Sequence, residues 1–117
     1  MDTVYEDPLV KGQEYADILK HDHNCDLVIC LSHLGYRYRN DIVSDKVLAA
    51  STKNIDIILG GHTHTFMKQP DLVENLSGEQ VIISQAGWGG ILLGHINIHF
   101  EKNRKRKCIT CNNKLIK

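Results

Sequence analysis

Ile55-Asp56-Ile57-Ile58-Leu59-Gly60-Gly61-His62-Thr63-His64 is the stretch that says most about the architecture of this chain. Its first half is an apolar run rich in branched aliphatic residues, which is typical of a parallel strand covered on both faces. Two glycines and two imidazoles follow where that strand should end. In open α/β sheets the ligand crevice lies outside the carboxyl ends of the strands. The glycines are expected to permit positive φ and a close backbone approach, and neutral imidazoles are good ligands for transition metals.

A second stretch upstream repeats this order of features. Asp26–Leu31 is another apolar run, and Ser32-His33-Leu34-Gly35 follows it. Between the two runs, Asp41–Thr52 has the apolar spacing of a helix, and Asn40 or Asp41 can cap its start. A strand, a helix and a strand with short connections form a βαβ unit, so the predicted fold class is α/β. Both histidine-bearing loops should then emerge at the same edge of one parallel sheet.

The remaining segments are predicted to supply one more helix and further strands. Asp7 and Pro8 are typical of a helix start, and we expect Tyr15, Ile18 and Leu19 on the inward face of that helix. The rest is predicted as a loop at Gln69–Gly78, a short strand at Val81–Ile83, a strand with one buried face at Ile96, Ile98 and Phe100, and a basic tail or edge strand over 101–117.

Five motifs occur in a fixed order along the chain: Leu31–Gly35, Asp45–Ala49, Ile55–His64, Val81–Gly89 and Leu93–Ile96. This ordered set resembles the C-terminal half of the catalytic domain of a calcineurin-like metallophosphoesterase of the 5′-nucleotidase branch. The resemblance implies a partial metallophosphoesterase α/β sandwich, made of the βαβ unit plus further strands, over residues 1–117 with its core at about 5–100. It also implies a hydrolase of nucleotide catabolism that removes the 5′-phosphate of nucleotides with the help of two metal ions.

The resemblance further implies how the histidines are used. His33 and His62 match the two imidazoles on one divalent ion (zinc, manganese or similar), and His64 matches the imidazole on the second ion. The other family ligands are an Asp-x-His pair, a bridging Asp and an Asn-His element, which precede the Ser-His-Leu-Gly segment and have no counterpart in this chain. We therefore expect at most one ion here, an incomplete site, and no catalytic residue within this chain. Asp56 is predicted to orient an imidazole N–H, and Trp88 is predicted to lie at the substrate rim.

Two other functions stay open at this point. The chain can be a catalytically inactive fragment or interaction module that keeps the fold without holding two metals. It can also be a single-zinc module built from His33, His62 and His64, because three protein ligands and one open position are usual for an open zinc site.

Composition restricts the partners. The 117 residues have a formal net charge of zero, which does not indicate a nucleic-acid partner, and the sequence has no apolar run long enough to span a membrane. The expected partners are a nucleotide or other phosphomonoester substrate, and either a complementing N-terminal half or a second copy, since a missing half would expose a sheet edge. The first residues lack the pattern of a signal peptide, but members of this family are often exported or periplasmic, so the compartment stays undetermined.

The cysteines give weaker signals. Cys108 and Cys111 form a single CxxC with no second pair, which is weak evidence for a zinc or redox site. Cys30 lies in an apolar run and is expected to be an unreactive core thiol.

Overall fold

The structure, a computed structural model, describes residues 2–101 and 104–116, with side chains described for 2–100 and 114–116. The elements in chain order are α1 (Pro8–Asp17, continued by a π-helical turn at Ile18–Asp22), β1 (Ile29–Leu31), α2 (Asp45–Ser51), β2 (Ile57–Leu59), β3 (Asp71–Glu74), β4 (Gln80–Ser84), β5 (Leu92–Glu101) and β6 (Arg104–Leu115).

The predicted βαβ unit is confirmed. Strands β1 and β2 pair in parallel, with Ile29 opposite Ile57 and Leu31 opposite Leu59, and α2 connects them. Strand β4 pairs in parallel with β2, and β3 pairs antiparallel with β4, so the sheet order is β1-β2-β4-β3. The fold is therefore an α/β arrangement with a mixed sheet. The strands are shorter than the apolar runs that predicted them.

The helices cover one face of this sheet. The core consists of residues from both helices, the connecting loops and alternate strand positions: Ala16, Val28, Leu48, Ala49, Ile55, Ile58, Val81 and Ile83. Because side chains alternate across a strand, Ile58 and Ile83 point toward the helices from paired positions of β2 and β4. The apolar runs thus supply one buried face. The prediction of strands covered on both faces was wrong at β1 and at the end of β2, because Ile29, Leu31 and Leu59 are exposed on the other face.

The two helices begin differently from one another. Asp7 caps α1 through a hydrogen bond that its Oδ1 accepts from the Leu9 amide at 2.8 Å, as its position before Pro8 predicted. The predicted start of α2 at Asp41 was wrong, because the helix begins at Asp45 and Ser44 is its cap.

Contacts from a distant loop explain the later start of α2. The amide of Asp45 donates to the carbonyl of Gly35 at 2.8 Å, and the amide of Lys46 donates to the carbonyl of Tyr36 at 3.2 Å. These bonds satisfy backbone donors of the first turn that have no partner within the helix. The start of α2 is therefore set by the loop that carries His33.

Two further predictions were wrong. Residues Gln69–Gly78 were predicted as a loop, but Asp71–Glu74 forms β3, because pairing with β4 overrides the turn-forming residues on either side. Tyr15 and Leu19 were predicted to face inward from α1, but both are exposed and Ala16 is the buried residue of that helix.

Strands β5 and β6 form a separate two-stranded antiparallel sheet. The strand predicted at Ile96–Phe100 is confirmed and is longer than predicted. Ile96 and Ile98 are half-buried, whereas Phe100 is exposed. The backbone over Arg104–Leu115 is a strand along most of the segment predicted as a basic tail or edge strand. No helix within the described residues has the length and apolar character needed to cross a bilayer.

Candidate metal centre

The structure brings His33 and His62 together at the carboxyl ends of β1 and β2. Their ring centroids lie 5.1 Å apart, and the rings meet edge to face at 69°. Both side chains are exposed, so a ligand can reach them from solvent. Two backbone bonds align the loops just past the strand ends, with the Ser32 amide donating to the Leu59 carbonyl and the Gly60 amide to the Ser84 carbonyl, each at 2.9 Å. The shared edge predicted for these histidines is therefore observed.

Gly60 and Gly61 are needed for close approach and not for positive φ. A Cβ on Gly60 would lie 2.1 Å from Oδ2 of Asp45, and a Cβ on Gly61 would lie 3.3 Å from Nδ1 of His33. Positive φ is found instead at the histidines, with φ of 68° at His62 and 51° at His64. Left-handed backbone is uncommon for residues with a Cβ and often accompanies function. The close backbone approach predicted for these glycines is confirmed, whereas the prediction that they take positive φ was wrong.

A buried carboxylate lies beneath both histidine loops. Asp45, at the start of α2, is 0% exposed, and its Oδ1 accepts a hydrogen bond from the Ser32 hydroxyl at 2.5 Å. The same hydroxyl oxygen accepts from the Leu34 amide at 3.2 Å, so it holds the turn that contains His33. Burial raises the pKa of the Asp45 carboxyl, while hydrogen bonds from Ser32 and Gln85 oppose that shift.

A buried amide holds the second histidine loop. Gln85 follows β4 and is 2% exposed. Its Nε2 donates to the Gly61 carbonyl at 2.8 Å, and its Oε1 accepts from the Thr65 amide at 3.0 Å and from the Thr63 hydroxyl at 3.3 Å. A longer contact of 3.4 Å joins Nε2 to Oδ2 of Asp45. One side chain thus holds the backbone on both sides of His62.

The two histidine loops also contact each other directly. The Tyr36 amide donates to the Thr63 hydroxyl at 3.0 Å. Gly35 has a φ of 94°, and a Cβ there would lie 2.8 Å from Cγ2 of Thr63. Burial and the hydrogen bond that the Tyr36 hydroxyl donates to Asp71 raise the pKa of the Tyr36 phenol to about 12. Lys46 also contacts Asp71, at 3.1 Å, which ties the loop to α2 and β3.

The donor set fits part of a metal site. Adjacent imidazoles suit a transition metal, which usually takes four ligands in a structural or catalytic zinc site. Among the described side chains, no group of three or more His, Cys, Asp or Glu residues is placed to hold an ion. In the part of the chain that the structure describes, His33, His62 and His64 therefore do not form a ready three-ligand group, and the single-zinc module stays a prediction. His33 and His62 can supply two donors to one ion, and the remaining donors have to come from elsewhere.

Asp56 lies away from this pair. It precedes β2, whereas His62 follows the other end of that strand, and its Oδ2 accepts from the Val28 amide at 2.7 Å. A strand rises about 3.3 Å per residue, so the length of β2 separates this carboxylate from the imidazoles. This position favours a structural role for Asp56, joining the starts of β1 and β2, in place of the predicted orienting role.

Trp88 lies on a loop that is joined to the histidine loop. Its ring meets that of Phe66 edge to face, with centroids 6.1 Å apart, and both rings are about half exposed. Phe66 bridges to Ala86, and the Gly87 amide donates to the Thr65 carbonyl at 3.1 Å. The aromatic pair is therefore tied to the backbone just after His64.

The cysteines whose side chains the structure describes do not join the site. Cys25 and Cys30 are both free, and burial together with the charge of Asp45 raises the pKa of the Cys30 thiol, which disfavours the reactive thiolate. The side chains of Cys108 and Cys111 lie outside the described residues, so the weak CxxC signal is not tested.

The roles of Asp45 and Gln85 were not predicted from the sequence. Asp45 was noted only as part of a motif, and Gln85 only as part of the segment after β4. A polar residue directly after a buried strand was the available signal for Gln85. For Asp45, the helix start was predicted four residues too early, which placed the side chain in the middle of a helix and hid its position in the first turn of α2.

Comparison with known proteins gives matches in both sequence and structure. No protein-family model matches the sequence. The chain is 30% identical over 99 residues to a trifunctional nucleotide phosphoesterase of Bacillus subtilis, covering 85% of this chain and 6% of that protein. It is also 30% identical over 112 residues to the 5′-nucleotidase of Homo sapiens, covering 85% of this chain and 18% of that protein.

Solved structures show the same fold. The 5′-nucleotidase precursor of Thermus thermophilus matches with a TM-score of 0.82 and 24% identity, over 97% of this chain and 23% of that one. The NAD nucleotidase of Haemophilus influenzae matches with a TM-score of 0.76 and 21% identity, over 96% of this chain and 24% of that one. The chain thus spans less than a quarter of the length of each of these four proteins.

Proposed function

Because the resemblance of this chain to part of the 5′-nucleotidases is confirmed in sequence and in fold, we propose that it supplies part of the active site of a nucleotide phosphomonoester hydrolase. The substrate class is a nucleotide 5′-phosphate, and the site is completed by ligands that the described residues do not contain. The observation that carries this proposal is the pair of imidazoles, His33 and His62, at the carboxyl ends of adjacent parallel strands.

The proposed chemistry is metal-assisted hydrolysis. Divalent ions in the complete site would bind the phosphate oxygens and lower the pKa of the attacking water. In this chain, His33 and His62 would hold one ion through neutral imidazole nitrogens, and His64 would contribute to the second. The positive φ of His62 and His64 supports this role, because strained backbone of this kind is found mainly at active and ligand-binding sites.

The aromatic pair supports a nucleotide as the substrate. Phe66 and Trp88 present half-exposed rings beside the loop that carries His62 and His64. A nucleobase can stack on such rings, and aromatic stacking tolerates different bases because each has a π face. We place Trp88 at the substrate rim for this reason.

The proposed partner is a polypeptide that carries the missing ligands. Among the described strands, β1 is an edge strand that pairs only with β2. Its Leu31 is 80% exposed, and Ile29 and Leu59 on the same face are also exposed. An unpaired edge next to exposed apolar side chains favours addition of a further strand. A second copy of the chain is the competing occupant.

A second candidate function is an interaction module without catalysis. The observation that favours it is the lack of any three-ligand group among the described side chains. In this case the imidazole pair would bind an ion only weakly or transiently, and the β1 edge would still bind a partner.

Reconstitution tests these two functions. We would mix the 117-residue chain with the Thermus thermophilus 5′-nucleotidase from which the segment matching this chain has been removed, and follow phosphate release from AMP with Mn²⁺ or Zn²⁺. Complex formation would be measured by analytical ultracentrifugation. The chain alone is expected to show background hydrolysis, and the mixture should show turnover that is lost with His33→Ala, with His62→Ala and with chelator.

The outcomes separate the candidates. A complex without turnover at saturating metal would favour the interaction module. Self-association of the chain in place of a mixed complex would identify a second copy as the occupant of the β1 edge. Turnover by the 117-residue chain alone, lost in His62→Ala and in chelator, would show that the site is complete without added ligands. In the active mixture, Trp88→Ala should raise KM for AMP more than it lowers kcat.

A further inference from the structure

We propose that Asp45 and Gln85 act as a buried positioning pair that sets the distance between the imidazoles of His33 and His62. The inference rests on the proposed function for its biological meaning, but not for its test. It concerns residues to which neither the resemblance nor the comparisons give a role.

Both side chains of this pair are buried. Asp45 is 0% exposed and Gln85 is 2% exposed. Burying a carboxylate or an amide is unfavourable unless its polar atoms are hydrogen-bonded. If these two positions only filled the core, hydrophobic residues would therefore be more favourable there than Asp45 and Gln85.

The hydrogen bonds of the two side chains run to the two histidine loops. Asp45 accepts from the hydroxyl of Ser32, the residue directly before His33. Gln85 donates to the carbonyl of Gly61, the residue directly before His62. The two side chains contact each other through Nε2 of Gln85 and Oδ2 of Asp45. A continuous chain of polar contacts therefore runs from one histidine loop to the other beneath the imidazoles.

The second histidine loop packs closely against this chain of contacts. The Gly60 backbone lies so close to Oδ2 of Asp45 that a Cβ would come within 2.1 Å of it. His62 and His64 keep positive φ, which costs energy unless the surroundings hold it. The bonds from Gln85 to Gly61 and to Thr65 flank this segment and supply that restraint.

The pair is therefore expected to act on the imidazoles through the backbone. Residues that orient metal ligands without touching the metal typically change affinity by about 10–100-fold when they are replaced. In Asp45→Asn, the side-chain oxygen can keep the hydrogen bond from the Ser32 hydroxyl. The new side-chain NH₂ group would then face Nε2 of Gln85, which is also a donor. Gln85→Leu would remove the bonds to Gly61 and Thr65 and leave an apolar side chain that is one bond shorter.

The test uses the metal-free and Zn²⁺-titrated 117-residue chain, so no substrate is needed. Ring-to-ring nuclear Overhauser contacts between His33 and His62 report their distance directly. Zn²⁺ affinity is followed on the same imidazole signals. The matched control is Asn75→Ala, which removes a buried side chain that accepts from the Ser77 and Glu79 amides at the far end of β4. It should lower Tm without touching the histidine loops.

Asp45→Asn and Gln85→Leu are expected to weaken the ring-to-ring contact severalfold and to raise the Kd for Zn²⁺ about tenfold or more. Asn75→Ala should lower Tm by an amount comparable to that in the other two variants. It should leave the ring-to-ring contact and the Kd for Zn²⁺ unchanged. Unchanged contact and affinity in the two variants would overturn the proposal, as would an equal loss in Asn75→Ala. If Asp45→Asn does not fold, Ser32→Ala removes one hydroxyl of the same chain of contacts and should move both readouts in the same direction; no change there also refutes the proposal.

These readouts are independent of hydrolysis. If reconstitution yields no turnover but the variants separate the imidazoles, the positioning pair stands and the proposed function fails. If reconstitution is active and the variants leave the imidazoles in place, the function stands and the positioning pair fails.

Discussion

Replacing Gly60 with alanine is expected to destabilise the chain and to separate the two histidine loops. The added Cβ would lie 2.1 Å from Oδ2 and 3.1 Å from Cγ of Asp45. Such a distance is well inside van der Waals contact, so either the carboxylate or the Gly60 backbone must move by about 1 Å. The carboxylate cannot rotate into solvent, because it is 0% exposed and bonded to the Ser32 hydroxyl.

The magnitude can be worked out from these two contacts. Overpacking a filled site costs about 1–3 kcal/mol, and weakening a hydrogen bond to a charged group adds about 1–2 kcal/mol. The free energy of unfolding should therefore fall by about 2–5 kcal/mol. For a chain of this size that corresponds to a Tm lower by about 10–20 °C. Thermal unfolding followed by circular dichroism measures this shift.

Gly78→Ala is the control for this experiment. Gly78 has a φ of 74° but nothing within 4 Å of an added Cβ, so only backbone strain of about 1 kcal/mol is expected. A Gly60→Ala variant no less stable than Gly78→Ala would refute the close packing of Gly60 against Asp45. So would a normal ring-to-ring contact between His33 and His62 in that variant.

Three further results are expected. His64→Gly should be more stable than His64→Ala by about 1 kcal/mol in thermal unfolding, because glycine adopts the φ of 51° without strain. An alanine variant at least as stable as the glycine variant would contradict this. The Tyr36 phenol should titrate with a pKa of about 12 in the ultraviolet difference between the parent and Tyr36→Phe. Since the folded pKa is raised, the stability that Tyr36 contributes should be complete below pH 10 and lost as pH rises toward 12, and a parent and variant with the same stability profile would refute it. After dialysis against Zn²⁺ or Mn²⁺, elemental analysis should find at most one ion per chain, reduced by His62→Ala; two tightly held ions would contradict the two-donor site.

Local sequence was sufficient for the parallel core and for the edge at which the histidines lie. Branched aliphatic runs at Ile29–Leu31 and Ile57–Leu59 have the composition of strands buried in a parallel sheet, and the topology of a βαβ unit places the loops after both strands at one edge. The resemblance to the 5′-nucleotidases was also readable from the motifs alone. Each of these inferences depends on residues close together in the chain.

Contacts between distant residues decided the rest. Asp45 and Gln85 are separated by 40 positions, and α2 begins at Asp45 because the carbonyl of Gly35 accepts its amide. Strand β3 exists because β4 pairs with it, although its flanking residues favour turns. A buried polar side chain gains its partners only when separate loops meet, so its role is not visible in local pattern or propensity. The sequence therefore located the imidazoles, whereas the folded packing beneath them determined what holds them 5.1 Å apart.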